Sequence, residues 1–158
     1  GDWDISGATD LSAMFRDAHS FNQPIGDWNV SNVQYINYMF NRAFAFNQPI
    51  GGWDVSNVTS LYATFYEAVS FNQPIGNWNV GNVLDMYDMF RDTDSFNQPI
   101  GNWDVSNVTD MTGMFLRAAS FNQNISQWNV DNVTYCNSFS NQCPLTAENT
   151  PNFTNCSP

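Results

Sequence analysis

Apolar residues recur along this chain in blocks of 25, and tryptophan marks the period at Trp3, Trp28, Trp53, Trp78, Trp103 and Trp128. A fixed period in this range predicts stacked supersecondary units, each burying its apolar side against the next. Phe21, Phe46, Phe71, Phe96 and Phe121 lie seven residues before a Trp, and Ile25, Ile50, Ile75, Ile100 and Ile125 lie three before it. Two residues after the Trp comes Val30, Val55, Val80, Val105 or Val130, and five after it Val33, Val58, Val83, Val108 or Val133. A Leu or Met position follows (Leu61, Met86, Met111), then Met89 or Met114, then a second Phe such as Phe90 or Phe115.

Two periodicities alternate inside the block. Around Trp103 and Val105 the spacing is two, which predicts a short strand. From Val108 through Met111, Met114 and Phe115 it is three to four, which predicts one or two turns of helix or 3-10 helix. Ser106, Asn107 and Thr109 between them offer a turn and N-cap oxygens. Pro74 or Pro99, followed by Gly76 or Gly101, predicts a tight return corner. The fold class expected is therefore an α/β solenoid: a leucine-rich-repeat-like, right-handed coil with one short parallel strand and one short helix or 3-10 turn per 25-residue repeat. It should occupy residues 1–135 as about five and a half repeats. Residues 136–158 should form a C-terminal cap and a tail rich in Cys, Asn and Pro.

Polar columns repeat with the same period. Asn32, Asn57, Asn82, Asn107 and Asn132 follow the Trp by four residues, and Asn22, Asn47, Asn72, Asn97 and Asn122 each precede a Gln. A carboxamide both donates and accepts, so these are expected to form buried structural ladders that satisfy turn amides and carbonyls.

The repeat FNQPIGNWDVSNVTDM, followed by MF and Ala, resembles the BspA-type leucine-rich repeats of bacterial, protist and algal-virus surface proteins. The resemblance covers residues 1 to about 140. It implies a secreted or cell-surface scaffold engaged in adhesion or protein recognition, without catalytic activity, and it carries over no active-site residues.

Charge narrows the partners. Fifteen acidic residues against four basic ones give a net charge of −11. Such a field repels nucleic acid and anionic membrane. No stretch is long and apolar enough to insert into a bilayer, and no signal peptide is recognisable ahead of Gly1. The expected partner is a protein or glycan on another cell or matrix, or copies of the chain itself.

Two faces carry the candidate chemistry. Asp4, Asn29, Asp54, Asn79, Asp104 and Asn129 follow each Trp and should point outward from the strand. That column could bind calcium or sugar hydroxyls, though it reads more simply as a solvated face whose charges are diluted by Asn. The helix side varies between repeats. It carries Tyr35, Tyr38, Tyr62, Tyr66, Tyr87 and Tyr135 with Arg16, Arg42, Arg91 and Arg117. Tyr and Arg anchor protein interfaces, although here they could equally pair with Asp17 or Asp92 and cover the core edge.

Cys136, Cys143 and Cys156 are confined to the cap, which points to a disulfide in an oxidising compartment. Cys136 with Cys143 is the favoured pairing, Cys143 with Cys156 the alternative, and one thiol is left over. Three Cys and the distant His19 lack zinc-site spacing. Seven positions fit the N-x-S/T glycosylation motif. Asn152 and Asn155 in the tail are the better acceptors, Asn29 and Asn124 come next, and Asn57, Asn107 and Asn132 belong to the ladder.

No phosphate loop, nucleophile elbow or metal motif is present, so no enzyme and no cofactor is expected, with calcium the one conceivable ion. Adhesion or protein recognition ranks first. An extracellular filament or surface layer formed by end-to-end stacking is second, and glycan or calcium binding along the Asp/Asn face third.

Overall fold

The computed structural model describes residues 3–158; Gly1 and Asp2, where the expected repeat tract begins, lie outside the described residues. Successive 25-residue coils lie one upon the next, so that each apolar position becomes a column. Phe40, Phe65, Phe90 and Phe115 stack at 5.6 Å between ring centroids. Phe46, Phe71, Phe96 and Phe121 form a second column at 5.9 Å. Within one coil the columns touch, with Phe65 and Phe71 at 4.1 Å. Val58, Leu61, Phe65, Phe71 and Ile75 of a central coil are buried.

The α/β solenoid expected from the sequence is not what these coils are made of. Among the described residues the one helix is a three-residue 3-10 turn, Ala147–Asn149, and the coils themselves contain none. No strand forms around Trp103 and Val105. Among the described residues the only β pairing is a chain of isolated parallel bridges: Asp10 to Tyr35, Ser60, Asp85, Asp110 and Tyr135. The bridges fall in the stretch expected to be turn and N-cap. The reason is local. The side chain after each Trp takes the amide two residues on, as Asp54 Oδ1 does from Ser56 N at 3.1 Å. Val58 N then donates to Val55 O at 2.9 Å, which curls the segment out of an extended pairing.

The segment with helical spacing is a ladder of turns. Met14, Arg16 and Ala18 donate their amides three residues back, to Leu11, Ala13 and Phe15. The amides between them, from Leu11, Ala13, Phe15 and Asp17, donate instead to Tyr35, Asn37, Met39 and Asn41 of the next coil. A helix would send every amide four residues back and leave nothing for the neighbour. Here alternate amides hold adjacent coils together. The geometry places two residues per coil at positive φ: Ala63 at 49° and Glu67 at 53° in one coil, Gly113 at 61° and Arg117 at 58° in another. Turns closed three residues back still bring every third or fourth side chain inward, so the apolar spacing imitates a helix.

Side chains satisfy what the turns leave open. The indoles of Trp53, Trp78, Trp103 and Trp128 each donate to the Ile carbonyl of the preceding coil, Trp78 Nε1 to Ile50 O at 3.1 Å and Trp103 Nε1 to Ile75 O at 3.2 Å. Asn57, Asn82 and Asn107 each donate Nδ2 at 2.7 Å to a main-chain carbonyl one coil back. Gln73 and Gln98 donate Nε2 to both the carbonyl and the side-chain oxygen of the Asn one coil back, Asn47 and Asn72 respectively. These ladders join coils, but the Asn57, Asn82, Asn107 and Asn132 column is exposed, not buried as the sequence suggested. Water can therefore replace part of each bond. Asn82→Ala should cost about 0.5–1.5 kcal/mol, read by urea denaturation. A larger loss would mean that the Ser56 carbonyl has no access to solvent.

The sixth coil does not stop at residue 135. Met111, Gly113, Phe115 and Arg117 donate to Tyr135, Asn137, Phe139 and Asn141, and Ser138 and Gln142 take the positive-φ positions. The disulfide joins Cys136 to Cys156, with Cα atoms 5.9 Å apart, which is neither pairing weighed from the sequence. The continuing turns carry Cys143 away from Cys136, and its thiol donates to Phe121 O at 3.3 Å. The tail meanwhile folds over the stack end. Phe153 packs edge-on against Phe139, and Asn155 Nδ2 donates to Asp131 O at 2.6 Å, which brings Cys156 over the core position held by Cys136. Burial pushes the free Cys143 thiol above its usual range.

Candidate recognition groove on the turn face

The turn ladder presents the most varied side chains of the repeat, and in the first four coils they enclose a groove of about 410 Å³. The first turn of each coil contributes Tyr38, Tyr62, Ala63, Tyr87 and Asp88; the second contributes Arg16, Asn41, Arg42, Tyr66 and Glu67. Tyr62 and Tyr87 stack at 4.7 Å and 8°, and Tyr38 leans on Tyr62 at 5.0 Å. Ala63 lies where a larger side chain would fill the floor.

All four positive charges of the chain fall on two adjacent columns of this face: Arg16 and Arg91 on one, Arg42 and Arg117 on the other. Arg42 reaches Asp17 at 2.9 Å and Glu67 at 3.5 Å. Arg91 bonds Asp88 at 3.1 Å and lies 5.4 Å over the Tyr66 ring. Arg117 grips Asp92 with two nitrogens. Arg16 alone has no carboxylate oxygen closer than 3.6 Å, and its guanidinium sits 5.2 Å over Tyr38.

The electrostatics favour the protonated form of Tyr62, Tyr66 and Tyr87. Burial and the bond to Tyr38 push Tyr62 well above the ordinary phenol range, burial raises Tyr66, and the Asp88 charge raises Tyr87. Each hydroxyl is thus a donor as well as an acceptor. Burial also raises Asp88 despite the neighbouring Arg91.

The main-chain amides contribute nothing to recognition here. Tyr38, Arg42, Ala63, Glu67 and Asp88 donate their amides to the next coil, and Arg16, Asn41 and Tyr66 donate three residues back. Tyr62 N and Tyr87 N are taken by Ser60 Oγ and Asp85 Oδ1. Every amide of the ten lining residues has an internal acceptor. Any hydrogen bond donated to a ligand in the groove must come from a side chain.

The other expected site residues are placed apart from it. Tyr35 and Tyr135 sit on the bridge column and are exposed. Arg117 lies beyond the groove, and Arg91 supports it from behind Tyr66. The Asp/Asn column after the Trp is committed to its own chain. Oδ1 of Asp4, Asn29, Asp54, Asn79, Asp104 and Asn129 accepts the amide two residues on, and Ser6, Ser31 and Ser106 add their hydroxyls. Asp and Asn alternate there because either oxygen closes the same turn. Bonds from the following Ser hold Asp4, Asp54 and Asp104 below the usual carboxylate range. Among the described residues no three His, Cys, Asp or Glu side chains come together to hold a metal ion. No helix of the described residues is long and apolar enough to cross a membrane.

Of the glycosylation-motif residues, Asn57, Asn107, Asn132 and Asn155 have Nδ2 engaged on a carbonyl. Asn29 and Asn124 accept through Oδ1 and are exposed, as is Asn152. Asn41, Ala63, Glu67 and Asp88 were not singled out from the sequence. Their signal was departure from the repeat at positions whose outward placement depends on turns that the spacing did not reveal.

Beside the groove, the bridge column stacks Asp85 against Asp110. Burial, with a smaller push from Asp110, raises Asp85, although it accepts Tyr87 N at 2.9 Å. A carboxyl raised on folding favours the folded state while protonated, and that contribution is lost as pH climbs through the raised value. Asp85→Asn keeps the acceptor for Tyr87 and removes the charge. It should raise the melting temperature near pH 7 and change it little near pH 3, below the ordinary carboxylate value of about 3.9. Equal shifts at both pH values would assign the effect to packing.

A family model described as "Mycoplasma protein of unknown function, DUF285" matches residues 1–83 and again residues 47–153. No curated protein and no solved structure matches the chain.

Proposed function

The chain belongs to the DUF285 family, and on that premise we propose that it is a non-catalytic recognition module of a secreted or cell-surface protein, reading its partner with the tyrosine- and arginine-lined groove. The family's domain is the one found in BspA-like surface repeat proteins, which supports the extracellular setting. The observation that carries the reading is concentration. Four of the six tyrosines and two of the four arginines line one groove of about 410 Å³, with Arg91 behind it, on an otherwise regular and acidic scaffold. Tyr and Arg combine large contact area with directed hydrogen bonds, and such residues dominate binding energy where they cluster. A repeat scaffold holds them on rigid backbone, so little ordering entropy is lost on binding.

The test is binding of the labelled chain to intact cells and extracellular matrix, compared with a Tyr62→Ala/Tyr87→Ala variant and an Asp54→Ala/Asp104→Ala variant. The tyrosine variant should lose tenfold or more of its affinity, about 1.4 kcal/mol or above. The aspartate variant should bind as the parent does. Equal binding by all three would remove the groove from the function.

A further inference from the structure

We propose that the groove takes a neutral oligosaccharide; this rests on the recognition reading above and names the ligand class. Three properties of the lining select it. The first is balance: Arg16 and Arg42 from the first two coils are matched by Glu67 and Asp88 from the next two, with Arg42 and Glu67 3.5 Å apart, so the lining has no net charge to satisfy. The second is the surrounding field. A net charge of −11, with all cations already on this face, discourages an anionic ligand on approach. A basic ligand would be drawn toward the chain but would meet Arg16 and Arg42 inside the groove.

The third property is the kind of contact on offer. Every lining amide is consumed by the turn ladder, so an extended peptide finds no main-chain donor for its carbonyls and cannot add as a regularly paired strand. Ala63 is the one aliphatic residue of the lining, which leaves no apolar pocket for a peptide side-chain anchor. What remains is a set of groups that donate and accept together: tyrosine hydroxyls kept protonated, the Asn41 carboxamide, two carboxylates and two guanidinium groups. A sugar ring presents hydroxyls that also donate and accept together, with C–H faces that can lie against tyrosine edges. The groove runs from Arg16 in the first coil to Asp88 in the fourth. Three coil steps of ~4.8 Å make it about 14 Å long, the reach of a short oligosaccharide, and its volume lies within the usual range for small-ligand sites.

The experiment titrates the purified chain with cellotriose, chitotriose and mannotriose, followed by tyrosine difference absorbance. Trigalacturonate and trilysine serve as the acidic and basic probes. Trp53, Trp78, Trp103 and Trp128 lie in the core while Trp3 is exposed, so the tyrosine band, and its loss in Tyr87→Ala, is what reports on the groove. At least one neutral trisaccharide should bind with a Kd between about 10 µM and 1 mM. Glu67→Gln and Tyr87→Ala should each weaken that binding fivefold or more. The melting temperature of each variant shows that it is folded, and Glu67→Gln tests the site even if Tyr87→Ala is unstable. No response to any neutral sugar at about 10 mM would overturn the proposal. So would binding that both variants leave unchanged, or binding of trigalacturonate or trilysine alone. If the groove variants lose cell binding while no sugar competes, the ligand class fails and the recognition reading stands. If the variants bind cells normally, the recognition reading itself fails.

Discussion

Trp78→Ala should destabilise the fold by about 3–5 kcal/mol, the range for deleting a large buried aromatic side chain. Trp78 is 3% exposed, its ring lies 6.3 Å from Phe65, and its indole donates to Ile50 O of the coil before it. The substitution removes packing and leaves that carbonyl without its donor, so two costs act together. Because each coil touches only its neighbours, the loss falls on the junctions at both sides of one coil. Urea denaturation followed by fluorescence of the remaining tryptophans should show a lower midpoint and a broader transition. A loss below ~1 kcal/mol would mean that the column packs loosely, contrary to close packing in protein interiors.

Gly51→Ala should be comparably damaging for a different reason. A Cβ at residue 51 would lie 2.2 Å from the carbonyl oxygen of Pro74 in the next coil. The obstacle is main chain, so no side-chain rotation relieves it. A Cβ added at Gly26, Gly76 or Gly101 would meet the corresponding carbonyl oxygen of the following coil just as closely. Overpacking a tight site typically costs about 1–3 kcal/mol and occasionally more, and separating two backbones here would also weaken the Asn–Gln bonds at the same corner. We expect about 3 kcal/mol, measured by thermal and urea denaturation. Gly52→Ala is the internal control, since nothing lies within 4 Å of its added carbon. If the two substitutions cost the same, the corner glycines serve chain flexibility and not close approach.

In the central coils the sequence pattern located the core at the level of single residues, whereas in the first coil Trp3 is 62% exposed. Trp53, Val55, Val58, Leu61, Phe65, Phe71 and Ile75 all face inward and are buried. The local conformation was not legible, because turns closed three residues back share the apolar spacing of a helix. Positive φ would have been the signal, but eleven of the twelve such positions carry residues other than glycine, Tyr38, Ala63 and Asp88 among them. Bonds to the neighbouring coil hold them there, and those cannot be read from one coil's sequence. The strand was misplaced because Asp54 and its counterparts bind their own chain's amide. The disulfide was missed because the path of the tail depends on Phe153 and Asn155 finding partners on the last coil.

The groove was half legible. Tyr38, Tyr62, Tyr66, Tyr87, Arg16 and Arg42 were visible as departures from a constant repeat, and they come together. Tyr35, Tyr135 and Arg117 departed from it equally and do not join them. Which outward positions face one another depends on the alternation of turns along the ladder, and a helical assignment puts them on the wrong sides.

The six tyrosines make the most direct measurement possible, because four line the groove and two lie outside it on the same chain. The chain is bound to intact cells, its tyrosines are nitrated, and modification is mapped by mass spectrometry against the free protein. Recognition through the groove requires that Tyr38, Tyr62, Tyr66 and Tyr87 become protected on binding while Tyr35 and Tyr135 react as before. Protection of Tyr35 and Tyr135 with the groove tyrosines unchanged would contradict the account.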